Sequence, residues 1–508
     1  MISSDPRHGT GESAGVAVRA SGFSAWPDPL GLVATRDVAL VEEFGRIANQ
    51  EYRAVGIRTA LHPMADLATE PRWGRISGTF GEDADLVAEM TVAYIRGFQG
   101  EELGPESVAC MTKHFPGGGP QKDGEDAHFA YGKDQAYPGG QFEDHVRPFL
   151  PAIELGTAQI MPYYGIPLDQ TSENVGMSFN KDVVTGLLRE ELGYDGVVCT
   201  DWLILDDVSL FFGALTIEGK YHGVEELTVP ERMKKGIDAG VDQFGGHHMT
   251  DVLLEVVRSG EVSEARIDVS ARRVLRNLFI LGLFDDPFVD AERVGEIAGR
   301  ADFVEAGKSA QRKSIVLLKA GKAEEATLPL DAGRRLYLEG VDPGLAAEYG
   351  QVVETVEEAD VALLRLQTPY EPRDGDMIEK MFHQGHLDFQ EPKLGRLLAI
   401  LKAKPTVVAI NLDRPAVIPE IADEAAGLIG LFGVTDEIIL EAVFGRFNPT
   451  GKLPFELPSS MEAVRNQHED VAYDSKDPVF PFGFGLSYED PTDDGVDDPA
   501  SEGEDDPA

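Results

Sequence analysis

The stretch GVVCTDW, Gly196 to Trp202, ends a short apolar run on a carboxylate followed at once by an indole. A strand buried on both faces has no use for an ionised Asp, because an unpaired charge taken out of water costs several kcal/mol or shifts its pKa until it neutralises. Something at the end of that strand requires the charge of Asp201. Lys113-His114 follows the apolar run VACMT, and Tyr164 follows AQIMPY. Carboxylate, ammonium, imidazole and phenol are the side chains that accept, donate and hold protons. Each has a plainer reading alone: Asp201 as a helix cap, Lys113-His114 as a surface pair, Trp202 as rim packing.

The elements that position them read as strand, helix, strand, helix from about residue 30 to 285. Glu82 to Gly100 places Leu86, Met90, Ala93 and Gly97 or Phe98 on one face, and Asn180 to Gly193 opens on an Asn cap and ends on a Gly suited to a left-handed turn. Between such helices sit VACMTKHF, AQIMPYY and GVVCTDW, an order that implies a parallel sheet with right-handed crossovers, closed at this length into a (β/α) barrel. In such a barrel the side chains at the C-terminal strand ends surround the active site, so Asp201, Lys113-His114 and Tyr164 share one mouth.

A long helix, Ile267 to Leu283, precedes a break at DDPFVDAERVG. Beyond it SIVLLK, RLYLEG, DVALLRL, PTVVAINL and AGLIGLF read as strands of an open α/β sheet with helices on both faces. The expected organisation is a barrel over 1–285, a linker over 286–308, an α/β sandwich over 309–489 and an acidic, disordered tail over 490–508.

Of 508 residues, 89 are acidic and 45 basic, a formal net charge of -44. That excludes nucleic acid as a partner, which needs a basic footprint, and implies a surface kept soluble in concentrated salt that screens its self-repulsion. No apolar run approaches the roughly 20 residues that span a bilayer. The start, MISSDPRHGTGES, shows no leader peptide, which predicts a cytoplasmic protein, with secretion directed from further upstream left open. Cys110 and Cys199 lie inside apolar runs and read as buried thiols rather than as a disulfide or metal ligands.

KHFPGGG (113–119), EPRWGRISGTFGED (70–83), GVVCTDW, SDPRHG (4–9) and PFGFGLSY (481–488) together resemble family 3 glycoside hydrolases, the β-glucosidase and exo-glucanase group, in that family's order. The resemblance implies a barrel followed by an α/β sandwich, and a retaining mechanism with no cofactor or metal. Two carboxyl groups about 5 Å apart carry such a mechanism, one as nucleophile and one as acid, then base. The family's nucleophile falls on Asp201, and its sugar-holding residues on Asp5, Arg75, Lys113, His114 and Tyr164, with Trp202 as an apolar wall. Arg72 reads as structural, and His8 as a brace for its loop.

The family's acid/base, a Glu of the second domain, falls on Glu371 of PYE, with Glu379 behind it. The rival is Asp126-Ala-His128, the D-x-H spacing of the family's N-acetylglucosaminidase branch, in which a polarised His donates the proton; its plainer reading is a pair that pins a long loop. The expected activity is release of terminal β-D-glucosyl residues from β-linked glycosides. The alternatives are β-xylosides or N-acetylglucosaminides, hydrolysed or phosphorolysed with His128 as acid/base, and a silent sugar-binding relative. A homo-oligomer is left open. The motif SDPRHG stands so close to Met1 that the barrel is expected to lack its first βα unit.

Overall fold

The computed structural model describes residues 1–489 apart from 12–19, 21, 211–214, 323–324, 327 and 376–377. The acidic run 490–508 lies outside the described residues. Short runs of Val, Ile, Ala and Met that are apolar at both parities can only be satisfied between two layers, and they form parallel strands. β1 (Ile2–Ser4), β2 (Ile57–Ala60), β3 (Ala109–Phe115), β4 (Gln159–Pro162) and β5 (Val197–Val198) lie side by side in chain order, all parallel. Every residue of β3 and β4 is buried. The sheet continues into residues 241–243, where Thr200 N–H donates to Gln243 O at 2.9 Å.

These strands are the staves of a TIM-like barrel. The first, ISS at Ile2–Ser4, carried no strand signal of its own and is held by its pairing with β2. Among the described residues no strand joins β1 to 241–243. Across that side Arg58 donates to the carbonyls of Leu281, Pro105 and Ser107, which ties the end of the helix Glu264–Ile280 to the strand starts.

Two crossover helices show how local sequence fixes the frame. α1 (Val38–Ala54) and α2 (Ala84–Gln99) are capped by Asp37 and Asp83, whose carboxylates accept the N–H of Leu40 and Leu86. They cross where Gly45 faces Gly97, and a Cβ on Gly45 would stand 2.8 Å from Gly97 Cα, so only glycine permits the approach. The helix read over 180–193 is present as wide π-type turns, Asp182–Glu191, with Asn180 Oδ1 accepting the N–H of Asp182 and Val183.

The second sheet is built from β6 (Val316–Lys319), β7 (Arg335–Glu339), β8 (Gln351–Val353), β9 (Val361–Gln367), β10 (Thr406–Asn411) and β11 (Gly427–Leu431), in the order β6-β11-β10-β9-β7-β8. Only β6 runs antiparallel to its neighbour. Leu364, Val408 and Ile410 pack with Leu397, Ile400 and Ile418 on one face, while Leu363, Val407 and Ala409 pack with Ile438, Ile439 and Ala442 on the other. That two-faced burial is an α/β sandwich.

Hydrogen bonds between side chains and backbone hold the sandwich against the barrel. Glu82 receives the N–H of Glu456 at 2.8 Å and of Tyr473 at 3.1 Å. Fully buried Arg414 donates to Arg72 O at 3.0 Å, and Asp126 N–H donates to Gln384 Oε1 at 3.1 Å.

Candidate active site

A cavity of about 480 Å³ opens at the C-terminal ends of β1 to β5. Asp5, Arg75, Lys113, His128, Tyr164, Asp201 and Trp202 line it from the barrel, and Ile378, Met381 and Phe382 line it from the second domain. A larger groove of about 960 Å³ runs past Ile2, Gly56 and Arg58, at the N-terminal ends of the strands, where barrel chemistry is not placed. Among the described residues no group of three His, Cys, Asp or Glu side chains is placed to hold a metal ion.

Asp201 stands at the end of β5 with its two oxygens in unlike surroundings. Oδ1 lies 2.8 Å from Tyr164 Oη and accepts the N–H of Trp202 at 2.7 Å. Oδ2 has His114 Nε2 at 3.6 Å. Burial and the Asp201 charge push the Tyr164 phenol well above its ordinary range, so it stays a donor. Trp202 packs its indole over Leu61, Met111, Met161 and Cys199 and leaves one face to the cavity. Lys113 Nζ meets Asp5 Oδ1 at 3.2 Å; burial raises the Asp5 carboxyl, but Lys113 outweighs it and holds it below the ordinary carboxylate value. Together they offer a cation and a forked acceptor to adjacent hydroxyls.

His114 departs from the expected sugar contact. It is fully buried and does not line the cavity. Its Nδ1 is 2.8 Å from Asp66 Oδ2, and its Nε2 is 3.0 Å from Arg75 Nη1. Burial, then the charges of Arg75 and Lys113, hold the ring well below its ordinary pKa, so it is neutral. His114 stands behind Arg75 and Asp201, and Arg75 presents itself to the cavity.

The Asp126-x-His128 pair, read as the rival acid/base, sits at the cavity wall. His128 Nδ1 is 2.7 Å from Asp126 Oδ1, and Asp126 Oδ2 accepts from Trp73 Nε1 at 2.7 Å and Tyr163 Oη at 3.2 Å. Burial alone would raise the Asp126 carboxyl, but His128, with Arg75, holds it far below the ordinary range. The imidazole rests against Tyr164 and Phe382, ring centroids 4.8 and 5.0 Å away. No protein group among the described residues bonds its Nε2.

Glu371, expected as the acid/base, does not line the cavity; its half-exposed carboxylate lies 3.3 Å from His386 and 3.7 Å from Arg373, and its N–H donates to Gln384 O. From the same stretch of chain after β9, Phe382 lines the cavity. Glu379 accepts the Tyr131 hydroxyl at 2.6 Å and does not line the cavity either. Arg72 pairs with Glu70 at 2.7 Å, His8 with Glu51 at 2.9 Å, and both thiols are free and buried, which agrees with the structural roles read for them.

Sequence reasoning missed Asp66 and Phe382. Asp66 carried the signal that revealed Asp201, a lone carboxylate within an apolar run (LHPMADLA); Phe382 carried none.

Residues 1–277 match the Glycosyl hydrolase family 3 N terminal domain, and residues 153–488 match the Glycosyl hydrolase family 3 C-terminal domain. The chain belongs to glycosyl hydrolase family 3. Among its family 3 relatives, Beta-glucosidase C of Emericella nidulans is 50% identical over 494 residues, 96% of this chain and 79% of that protein. A Periplasmic beta-glucosidase/beta-xylosidase of Dickeya chrysanthemi is 42% identical over 505 residues, 96% of this chain and 77% of that protein. In fold it is similar to a β-glucosidase from Erythrobacter marinus, with a TM-score of 0.78 at 22% identity over 96% of this chain and 72% of that one. A β-glucosidase from Listeria innocua in complex with glucose gives 0.74 at 23% identity, over 96% and 72%. Family 3 membership makes this chain a glycoside hydrolase of barrel-plus-sandwich build.

Proposed function

We propose that this chain releases terminal non-reducing β-D-glucosyl residues with retention of configuration, and that Asp201 is the nucleophile and His128 the acid/base. The observation that carries the reading is the pair of free atoms on one cavity: Asp201 Oδ2, with no hydrogen bond among the described residues, and His128 Nε2, with none either. Oδ2 attacks the anomeric carbon as the glycosidic C–O bond breaks, and the leaving oxygen takes the proton of His128 Nε2–H. Water then attacks the glycosyl ester, gives a proton back to Nε2, and frees the carboxylate. Asp126 fixes the ring throughout. Asp5, Lys113 and Arg75 hold the sugar hydroxyls, and Phe382 and Met381 bring the second domain to the leaving-group side.

Hydrolysis of a panel of nitrophenyl β-glycosides tests this. The glucoside is expected to be cleaved fastest, and Asp201→Ala to lower kcat by about 10⁴-fold or more. Xyloside cleaved faster than glucoside would favour the second half of the Dickeya relative's name. Sugar binding without turnover would leave only a binding protein.

We also infer adaptation to concentrated salt, supported by the net charge of -44. The melting temperature is expected to rise by several degrees between dilute buffer and molar KCl as the self-repulsion is screened. A flat or falling salt profile counts against it.

A further inference from the structure

One buried carboxylate has no part in the steps above and yet touches the group behind the nucleophile. Asp66 is fully buried and accepts the N–H of His114 at 3.1 and 3.2 Å, the N–H of Gly118, and the ring of His114 at 2.8 Å. The other ring nitrogen of His114 faces two groups, Arg75 Nη1 at 3.0 Å and Asp201 Oδ2 at 3.6 Å.

A guanidinium only donates, so Nε2 of His114 must be the acceptor and Nδ1 must carry the proton. Asp66 is what holds the proton there. Building on the reading of Asp201 as nucleophile, we propose that Asp66 is a positioning residue: it fixes the Nδ1–H tautomer of His114, so that Nε2 braces Arg75 and presents no proton to the attacking oxygen of Asp201.

The consequence for Asp201 follows from its two oxygens. Oδ1 is engaged by Tyr164 and the Trp202 N–H. Were the proton on Nε2, it would point at Oδ2, 3.6 Å away, and a small shift of either side chain would set a hydrogen bond in competition with attack by that oxygen. It would also oppose an Arg75 N–H at 3.0 Å and push the guanidinium from the sugar. Asp66 thus selects which oxygen is the nucleophile without touching substrate. Gly118 belongs to the device, because a Cβ there would stand 2.9 Å from Asp66 Oδ1.

The test is Asp66→Asn, read on dinitrophenyl β-glucoside and on trapping by a 2-deoxy-2-fluoro glucoside, whose leaving groups need no protonation. An amide must place an N–H against one of the donors that Asp66 now receives, which favours the Nε2–H ring. Loss of the correct tautomer costs about 10⁴-fold in a serine protease triad, and here the glycosylation step is expected to slow about 10²-fold or more, in kcat rather than KM. Because Asp66 acts through His114, Asp66→Asn combined with His114→Gln should be no slower than His114→Gln alone. A readout that needs no Asp66 variant is the nitrogen-15 spectrum of the wild-type histidine rings, with the His114 signal assigned by its loss in His114→Gln: the proton is expected on Nδ1. A proton on Nε2 overturns the inference, as does a folded Asp66→Asn that keeps the wild-type trapping rate, or losses that multiply in the double variant. A wild-type chain that forms no covalent adduct overturns the Asp201 reading instead, and the ring spectrum still decides whether Asp66 sets the tautomer.

Discussion

Two Asp–His pairs stand within one barrel mouth, built alike and placed differently. Asp66–His114 and Asp126–His128 both join a fully buried carboxylate to a ring Nδ1, at 2.8 and 2.7 Å. In the first, Nε2 is taken by Arg75 and the ring is sealed; in the second, the ring lines the cavity and Nε2 is free. The carboxylates register the difference. Burial pushes Asp66 up to about 6 beside a ring kept neutral, whereas Asp126 is held far below the ordinary range by His128 and Arg75. Occupancy of the far nitrogen, more than burial of the acid, separates a sealed ring from one open to the cavity.

That contrast is easiest to break at His128. Replacement by Ala is expected to lower kcat for an alkyl β-glucoside, whose leaving oxygen needs a proton, by about 10²–10⁴-fold, and to spare dinitrophenyl β-glucoside. Equal loss on both substrates would make His128 a wall and not an acid. Asp126→Asn should give a smaller loss of about 10-fold to 10²-fold on the alkyl substrate. Glu371→Gln serves as the control and should leave kcat unchanged; if it alone removes the leaving-group dependence, the second domain supplies the acid.

The smallest effect sharpens the comparison from outside the site. Glu82 is another buried carboxyl and has no imidazole; burial, with the charges of Glu456 and Asp83, raises it to about 8 against two backbone N–H donors. A carboxyl raised in the folded state contributes stability that is complete below the ordinary carboxyl range and is lost as pH rises through its folded value. The melting temperature is expected to fall by a few degrees as pH rises from about 4.5 to about 8 and to level off above it, and Glu82→Gln to flatten that slope. A wild-type profile already flat there would mean that the seam carries its charge without cost.

Much of the frame was legible in local sequence, because a strand buried on both faces declares itself by composition. VACMTKHF, DVALLRL and PTVVAINL became Ala109–Phe115, Val361–Gln367 and Thr406–Asn411. Ile2–Ser4 was not legible, since three small polar and apolar residues become a strand only when β2 offers a partner. The site divided in the same way. Asp201 and Tyr164 could be placed because strand ends point one way, into the mouth. Glu371 could not, because a loop's direction is set by partners such as His386 and Arg373 that no neighbouring residue foretells. Asp66 escaped for a related reason: its meaning lies in a ring 48 residues further on.

The seam between the domains has a consequence in time. Asp126, which pairs with His128, gives its N–H to Gln384, 258 residues later, and Glu82 receives the N–H of Glu456 from 374 residues away. At about 5–20 residues per second a ribosome takes tens of seconds to cross either interval. A nascent chain therefore holds every barrel residue of the cavity well before it holds the wall contributed by Phe382. The cavity is therefore complete only once the residues of the second domain that line it have been made.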